Sequence, residues 1–213
     1  YTYNPTNLVN YASAHDNLSL WDKICFAYGE GADTRELRLR RNRLTAAIVQ
    51  TSLGIPFMQA GEEMLRQKKN PDGSYNENSY NASDAVNNLK WDRLTPSSDE
   101  YAMMRYYSGL IAFRKAHDVL RMPLAADRGK TVNVLDAAAT EGAVIAFTMN
   151  NPYDGEKIYV VYNAGTEAAN VTLPAGSWDL YIDGTTAGTT AIRSGLNGAQ
   201  TIDPVSCYVF VLN

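Results

Sequence analysis

A histidine and an aspartate stand side by side at His15-Asp16, directly after the apolar run Leu8 to Ala12 and before Asn17. An imidazole beside a carboxylate is a hydrogen-bonding pair. The dipeptide alone is weak evidence, because such a pair is more commonly a satisfied electrostatic contact than a reacting one. Its position lends it weight. Leu8 to Ala12 reads as a brief buried strand, so His15 and Asp16 fall just past its C-terminal end, where a β/α barrel places its chemistry.

The elements around the pair repeat that pattern. Asp33-Thr34-Arg35-Glu36 has the acid-capped form of a helix start, with Glu36 placed to reach back to the cap. Leu44, Ala47, Ile48 and Thr51 form the helical stripe that follows, and Gly54 ends it. Ile55 to Gln59 is then a second short strand. Strand, helix, strand is the repeat of a β/α barrel, here its last two units. Arg38, Arg40, Arg41 and Arg43 lie at helical spacing beside apolar positions and read as a solvated face.

Residues 66–90 are rich in Asn, Ser, Asp, Lys and Gly, with a turn at Pro71-Asp72-Gly73. Tyr75, Tyr80 and Trp91 alternate with amides and carboxylates. That mixture suits a sugar, since aromatic faces stack on pyranose C–H surfaces and amides pair with hydroxyls; the plainer reading is a surface loop. Pro96-Ser97-Ser98-Asp99-Glu100 opens a further helix with a Ser-x-x-Glu capping box. Met103, Tyr106, Leu110 and Phe113 give it a core-facing stripe, and His117 marks its end.

From about Met122 the period changes from 3.6 to 2. Thr131–Asp136, Ala143–Met149, Lys157–Asn163, Asn170–Leu173, Ser177–Ile182 and Ser206–Leu212 are β-rich runs between Gly, Asn, Asp and Pro turns. They predict an antiparallel β-sandwich. The fold class is therefore α/β plus all-β: residues 1–121 as the C-terminal segment of a β/α barrel of the TIM type, and residues 122–213 as a C-terminal sandwich. Trp178 and Tyr181 read as inter-sheet core, with a sugar platform as the alternative.

Asn10-Tyr11 through His15-Asp16-Asn17 with Leu20-Trp21-Asp22-Lys23, then Gly54-Ile55-Pro56-Phe57 with Ala60-Gly61-Glu62-Glu63, then Asn78-Ser79-Tyr80-Asn81, resembles the C-terminal part of type I pullulanases. These belong to the α-amylase superfamily, glycoside hydrolase family thirteen. The resemblance covers roughly residues 8–95 and is architectural beyond. It implies cleavage of α-1,6 bonds in pullulan and branched α-glucans by a retaining mechanism. In it His15 and Asp16 bond the hydroxyls of the sugar beside the scissile bond, and Asn17, Arg66, Asn78 and Tyr80 are candidates for further substrate contacts.

A retaining glycosidase needs a nucleophile and an acid/base, two carboxyl groups about 5–5.5 Å apart. No match to the family's nucleophile motif occurs here. Tyr28-Gly29-Glu30-Gly31 looks like the surroundings of the acid/base glutamate, yet it follows the His-Asp motif, lacks a leading strand and continues into Ala32. It reads as a loop ahead of the helix, so both carboxylates are expected outside this chain. Two departures stand out: Met58-Gln59-Ala60 where many relatives have Leu-His-Ala, and the long connection Lys68-Lys69-Asn70-Pro71-Asp72-Gly73. An α-1,4-acting amylase or glucanotransferase, or a non-catalytic carbohydrate-binding module, are the alternatives.

The remaining features bound the partners. A net charge of −4 over 213 residues gives no reason to expect nucleic acid or an anionic membrane. No run approaches the roughly eighteen apolar residues of a membrane span. Cys25 and Cys207 read as buried free thiols. No cofactor is required, and no residue pattern indicates a structural Ca2+. The expected partners are an α-glucan and the upstream remainder of the same enzyme, because Tyr1-Thr2-Tyr3-Asn4-Pro5 runs almost at once into a strand that needs neighbours on both sides. There is no basic, apolar leader in the sequence; the polymeric substrate implied by the resemblance points to a secreted or cell-surface bacterial enzyme.

Overall fold

In the computed structural model, which describes residues 4–123, 132–134 and 142–213, two parallel strands flank a helical crossover. Strand β1 (Val9–Asn10) pairs with β2 (Ile55–Pro56), Val9 beside Ile55 and Asn10 beside Pro56. Parallel neighbours need a crossover, and helices α1 (Leu20–Ala32) and α2 (Arg35–Thr51) supply it. Both strands are shorter than the apolar runs that contain them, because each is paired on one side only. At Gly54, φ is 113° and a Cβ would lie 2.8 Å from the Asn10 amide and 2.9 Å from the Leu8 carbonyl. Only glycine admits that approach of the chain into β2.

The helix starts differ from the sequence reading by one residue each. Thr34, not Asp33, caps α2, its hydroxyl accepting from Leu37 N at 3.1 Å. That leaves both acids to the arginines: Asp33 pairs with Arg41 at 3.0 Å, and Glu36 with Arg40 at 3.1 Å. The arginines are not a solvated face. Arg38 donates to Gly29 O at 3.0 Å, Arg40 to Pro204 O at 3.3 Å, and Arg41 lies 3.7 Å over the Tyr28 ring. They tie α2 to α1 and to the β region.

Beyond β2 the long polar loop carries one short helix, α3 (Asp84–Asn87), before α4 (Asp99–Ala116). Ser98 rather than Ser97 caps α4, accepting from Tyr101 N at 3.1 Å, and Glu100 faces Arg35 instead of closing a capping box. The predicted stripe of Met103, Tyr106, Leu110 and Phe113 is buried, as is Tyr107. His117 ends the helix, stacked on Phe113 and bonded to Glu156.

The strands that follow are β3 (Val132–Val134), β4 (Val144–Asn150), β5 (Lys157–Asn163), β6 (Ala169–Thr172), β7 (Trp178–Ile182), β8 (Arg193–Leu196), β9 (Ala199–Ile202) and β10 (Ser206–Leu212). Six of them form one antiparallel sheet in the order β3-β4-β5-β10-β7-β8, and β6 pairs with β9 in a separate pair. The parts of the predicted run Thr131–Asp136 beyond 132–134 lie outside the described residues, while β8 and β9 were not anticipated.

Alternation along β5 and β10 sends side chains to two covered faces. Ile158, Val160, Tyr162, Cys207 and Val209 share a core with Leu39, Leu44, Ala47, Met103, Leu110 and Phe113 of α2 and α4. Tyr159, Val161, Tyr208 and Phe210 pack with Trp178, Leu180, Val171 and Ile202 under the β6-β9 pair. Among the described residues the large sheet is thus covered by helices on one face and by the β6-β9 pair on the other, an asymmetry the sequence reading of a sandwich did not contain. Burial on both faces explains why Ile158 to Tyr162 is continuously apolar.

Trp178 is core, its indole donating to Pro174 O at 2.8 Å, and Tyr181 stacks near Phe113 and His117; neither offers a sugar platform. Cys25 and Cys207 are both buried and free. No helix among the described residues is long and apolar enough to cross a membrane.

Candidate functional site

The turn after β1 presents His15 and Asp16 to solvent, with side chains 88% and 74% exposed and His15 Nε2 3.4 Å from Asp16 Oδ1. Asn17 closes the turn at φ 62°, a left-handed conformation that asparagine tolerates better than most residues. An open carboxylate and imidazole side by side can bond neighbouring hydroxyls of one ligand.

Underneath, the turn is held from inside the fold. Lys68 is 1% exposed, and its ammonium donates to His15 O at 3.2 Å and to Asn17 O at 2.8 Å. Its backbone N–H donates to Asp22 Oδ2 at 2.6 Å. Asp22 sits fully buried in the first turn of α1, which Ser19 caps. Ser19 Oγ in turn donates to Arg66 O at 2.6 Å, and Lys23 Nζ to Ala12 O at 2.9 Å. Burial pushes Asp22 above the ordinary carboxylate value against these hydrogen bonds, and pushes Lys68 below the ordinary amine value with Arg66 adding to the effect.

A second link joins the two strand ends. Ser13 Oγ bonds the Glu62 carboxylate and lies 3.3 Å from Gln59 Oε1. Glu62 is nearly buried, and that burial raises its carboxyl pKa. Gln59, read as a departure from the usual sequence, therefore faces the underside of the His-Asp turn. The Ser13 and Glu62 side chains support the site without reaching its surface.

The other candidates separate into two groups. Arg66 is engaged in closing its own loop: Nη1 donates to Ala60 O at 3.2 Å and Nη2 to Asn87 O. A Cβ at Gly61 would meet its stem at 2.6 Å. Asn78 and Tyr80 lie farther along the loop, Asn78 N donating to Asn76 Oδ1 at 3.0 Å and Tyr80 standing 81% exposed. Between them Ser79 is buried, its carbonyl accepting from Asn87 Nδ2 at 2.6 Å, which fixes where its neighbours emerge.

Tyr28-Gly29-Glu30-Gly31 is not a loop. It falls within the span of α1, broken at Gly29, where φ is 63°. The side chain of Glu30 lies outside the described residues. Among the described residues no cluster of three or more His, Cys, Asp or Glu side chains is arranged to hold a metal ion.

Sequence reasoning missed Lys68 and Asp22. Asp22 did carry a signal, as an acid in the first turn of an otherwise apolar helix start. Lys68 carried none, sitting in a polar stretch with Lys69 and Asn70 that resembles any solvated loop.

Comparison with known proteins bears on this arrangement. Residues 133–186 match the family described as pullulanase, all-beta domain. The chain is 32% identical over 170 residues to the pullulanase of Bacillus subtilis (strain 168), covering 80% of this chain and 22% of that protein. The solved pullulanase from Bacillus acidopullulyticus superposes with a TM-score of 0.88 at 32% identity, over 99% of this chain and 25% of that one. The pullulanase SAP of Group B Streptococcus, solved in complex with maltotetraose, gives a TM-score of 0.88 at 25% identity, over 99% of this chain and 33% of that one. The chain thus spans between about a fifth and a third of the length of these relatives.

Proposed function

We infer that this chain is the C-terminal part of a pullulanase-type debranching enzyme, a glycoside hydrolase, and that it contributes one wall of the sugar site. In this reading residues 1–121 are the last two β/α units of the catalytic barrel and residues 122–213 its C-terminal β domain. The observation that carries it is the open His15-Asp16 pair at the C-terminal end of a parallel strand, in a chain similar to pullulanases along most of its length.

The proposed substrate is an α-glucan with α-1,6 bonds, and the partner is the remainder of the same enzyme, which supplies nucleophile and acid/base. His15 and Asp16 bond hydroxyls of the sugar beside the scissile bond. As the ring flattens toward the oxocarbenium ion those bonds strengthen, so the pair lowers the barrier without transferring a proton. Asn17, Asn78 and Tyr80 are the further substrate contacts in this reading, and Arg66 acts through the loop it closes.

The test is Asp16→Ala in the full-length enzyme, read as release of reducing ends from pullulan. Loss of one such transition-state contact is expected to lower kcat/KM by about 10²–10³-fold, with little change in stability because Asp16 is exposed. A rate near that of the wild type removes the pair from the site. The 213-residue chain by itself is expected to give no turnover.

A further inference from the structure

We propose that Lys68 is a positioning residue for the debranching reaction: its buried ammonium sets the backbone of the His15-Asp16-Asn17 turn and so aims the two exposed side chains at the sugar. The inference rests on the reading of His15 and Asp16 given above and adds the group that holds them.

A lysine is almost never fully buried without partners. The partners of Lys68 are two carbonyls, His15 O at 3.2 Å and Asn17 O at 2.8 Å, one on each side of Asp16 in the chain. Carbonyl oxygens bonded to a fixed cation determine the orientation of the peptide planes they belong to. Those planes set where the Asp16 side chain leaves the backbone, and they hold Asn17 in its left-handed conformation.

The cation is itself fixed at both ends. Its backbone N–H is bonded to Asp22 at 2.6 Å, and Asp22 belongs to the helix that begins just after the turn. Among charged groups, Asp22 and Asp16 attract the ammonium, whereas Arg66 and Lys23 repel it. Lys23 holds Ala12 O at 2.9 Å, so carbonyls before, within and after the His-Asp pair are each bonded to a lysine. A loop anchor with no bearing on the site would need only one of these contacts. The polar loop that starts at Arg66 and carries Asn78 and Tyr80 is thereby registered against the His-Asp turn through one side chain.

The experiment is a double-mutant cycle in the full-length enzyme on pullulan, with Lys68→Met, Asp16→Ala and the pair combined. Misplacing a contact by about 1 Å costs on the order of 10²-fold, so Lys68→Met is expected to lower kcat/KM by about that factor, chiefly in kcat. Because Lys68 acts through the His15-Asp16 pair, adding Lys68→Met to Asp16→Ala is expected to cost well under the roughly 10²-fold that it costs alone, the remainder passing through His15. Lys68→Gln, which keeps a donor on a shorter stem, is expected to recover part of the rate, and it carries the same cycle if Lys68→Met does not fold. Effects that multiply independently, or an unimpaired Lys68→Met enzyme beside a crippled Asp16→Ala enzyme, overturn the role of Lys68 and leave the pair in place. An unimpaired Asp16→Ala enzyme overturns the reading of the pair itself.

Discussion

Ser13 and Glu62, 49 residues apart in the chain, are hydrogen-bonded to one another beneath the His-Asp turn. The bond joins the segment after β1 to the segment after β2, so the two strand ends that frame the site share one buried carboxyl.

That carboxyl makes stability depend on pH. Burial raises the Glu62 pKa from its ordinary 4.5, with Ser13 and Gln59 N–H opposing. A carboxyl raised in the folded state holds its proton more tightly folded than unfolded. Its contribution is present below 4.5 and is lost as pH climbs through the raised value. Glu62→Gln keeps an acceptor for Ser13 and cannot ionise. Relative to wild type it is expected to gain stability as pH rises from 4.5 to neutrality, the direction set by the raised carboxyl. Urea midpoints at the two pH values check this; a difference between the proteins that does not change with pH excludes it.

Gly109 of α4 faces the connection between β7 and β8 at a distance that leaves no room for a side chain. A Cβ there would lie 2.0 Å from Ala187 O and 2.4 Å from its carbonyl carbon. Gly109→Ala gains about 1 kcal/mol of helix propensity. Overpacking against backbone costs about 3 kcal/mol, so the clash wins. A net loss of about 2 kcal/mol is expected in denaturant unfolding, and an unchanged midpoint would show that the connection at Ala187 yields.

The sequence disclosed what depends on local period and composition. Met103, Tyr106, Leu110 and Phe113 were legible as one face because helical spacing alone brings them together, and Lys157–Asn163 because both faces of its sheet are covered. The place of the His15-Asp16 turn, just past a strand, was legible from the apolar run before it. Partners distant in sequence were not. Arg40 looks solvated until Pro204 O is placed beside it, and Lys68 until the carbonyls of residues 15 and 17 fold over it. Arg193-Ser194-Gly195-Leu196 gave no strand signal because it is an exposed edge with no alternation to read.

Arg114 closes the C-terminus of α2 from the neighbouring helix. Nη1 donates to Gln50 O at 2.7 Å and Ser52 O at 2.8 Å, and Nη2 to Gly54 O at 2.7 Å. Burial brings its pKa down to about 10, so it stays charged at neutral pH, where it also complements the helix dipole. Arg114→Met leaves three carbonyls without this donor and is expected to cost about 3 kcal/mol. Arg114→Lys restores the charge but not the fork, so it should recover less than half of that loss. Full recovery by lysine in a thermal melt would make the charge, rather than the geometry, the stabilising element.

Asn17 combines a conformation with a side chain, and substitution separates them. Its φ of 62° costs an alanine about 1 kcal/mol and a glycine almost nothing. Asn17→Gly therefore removes the amide while leaving the turn as Lys68 holds it, whereas Asn17→Ala also strains the turn. If the amide bonds the sugar, the glycine variant raises KM by about fivefold, the worth of one neutral hydrogen bond, with an unchanged melting temperature. The alanine variant adds a fall in kcat, because straining the turn moves Asp16. A glycine variant with wild-type KM on pullulan would assign Asn17 to the turn alone and leave substrate contact to His15 and Asp16.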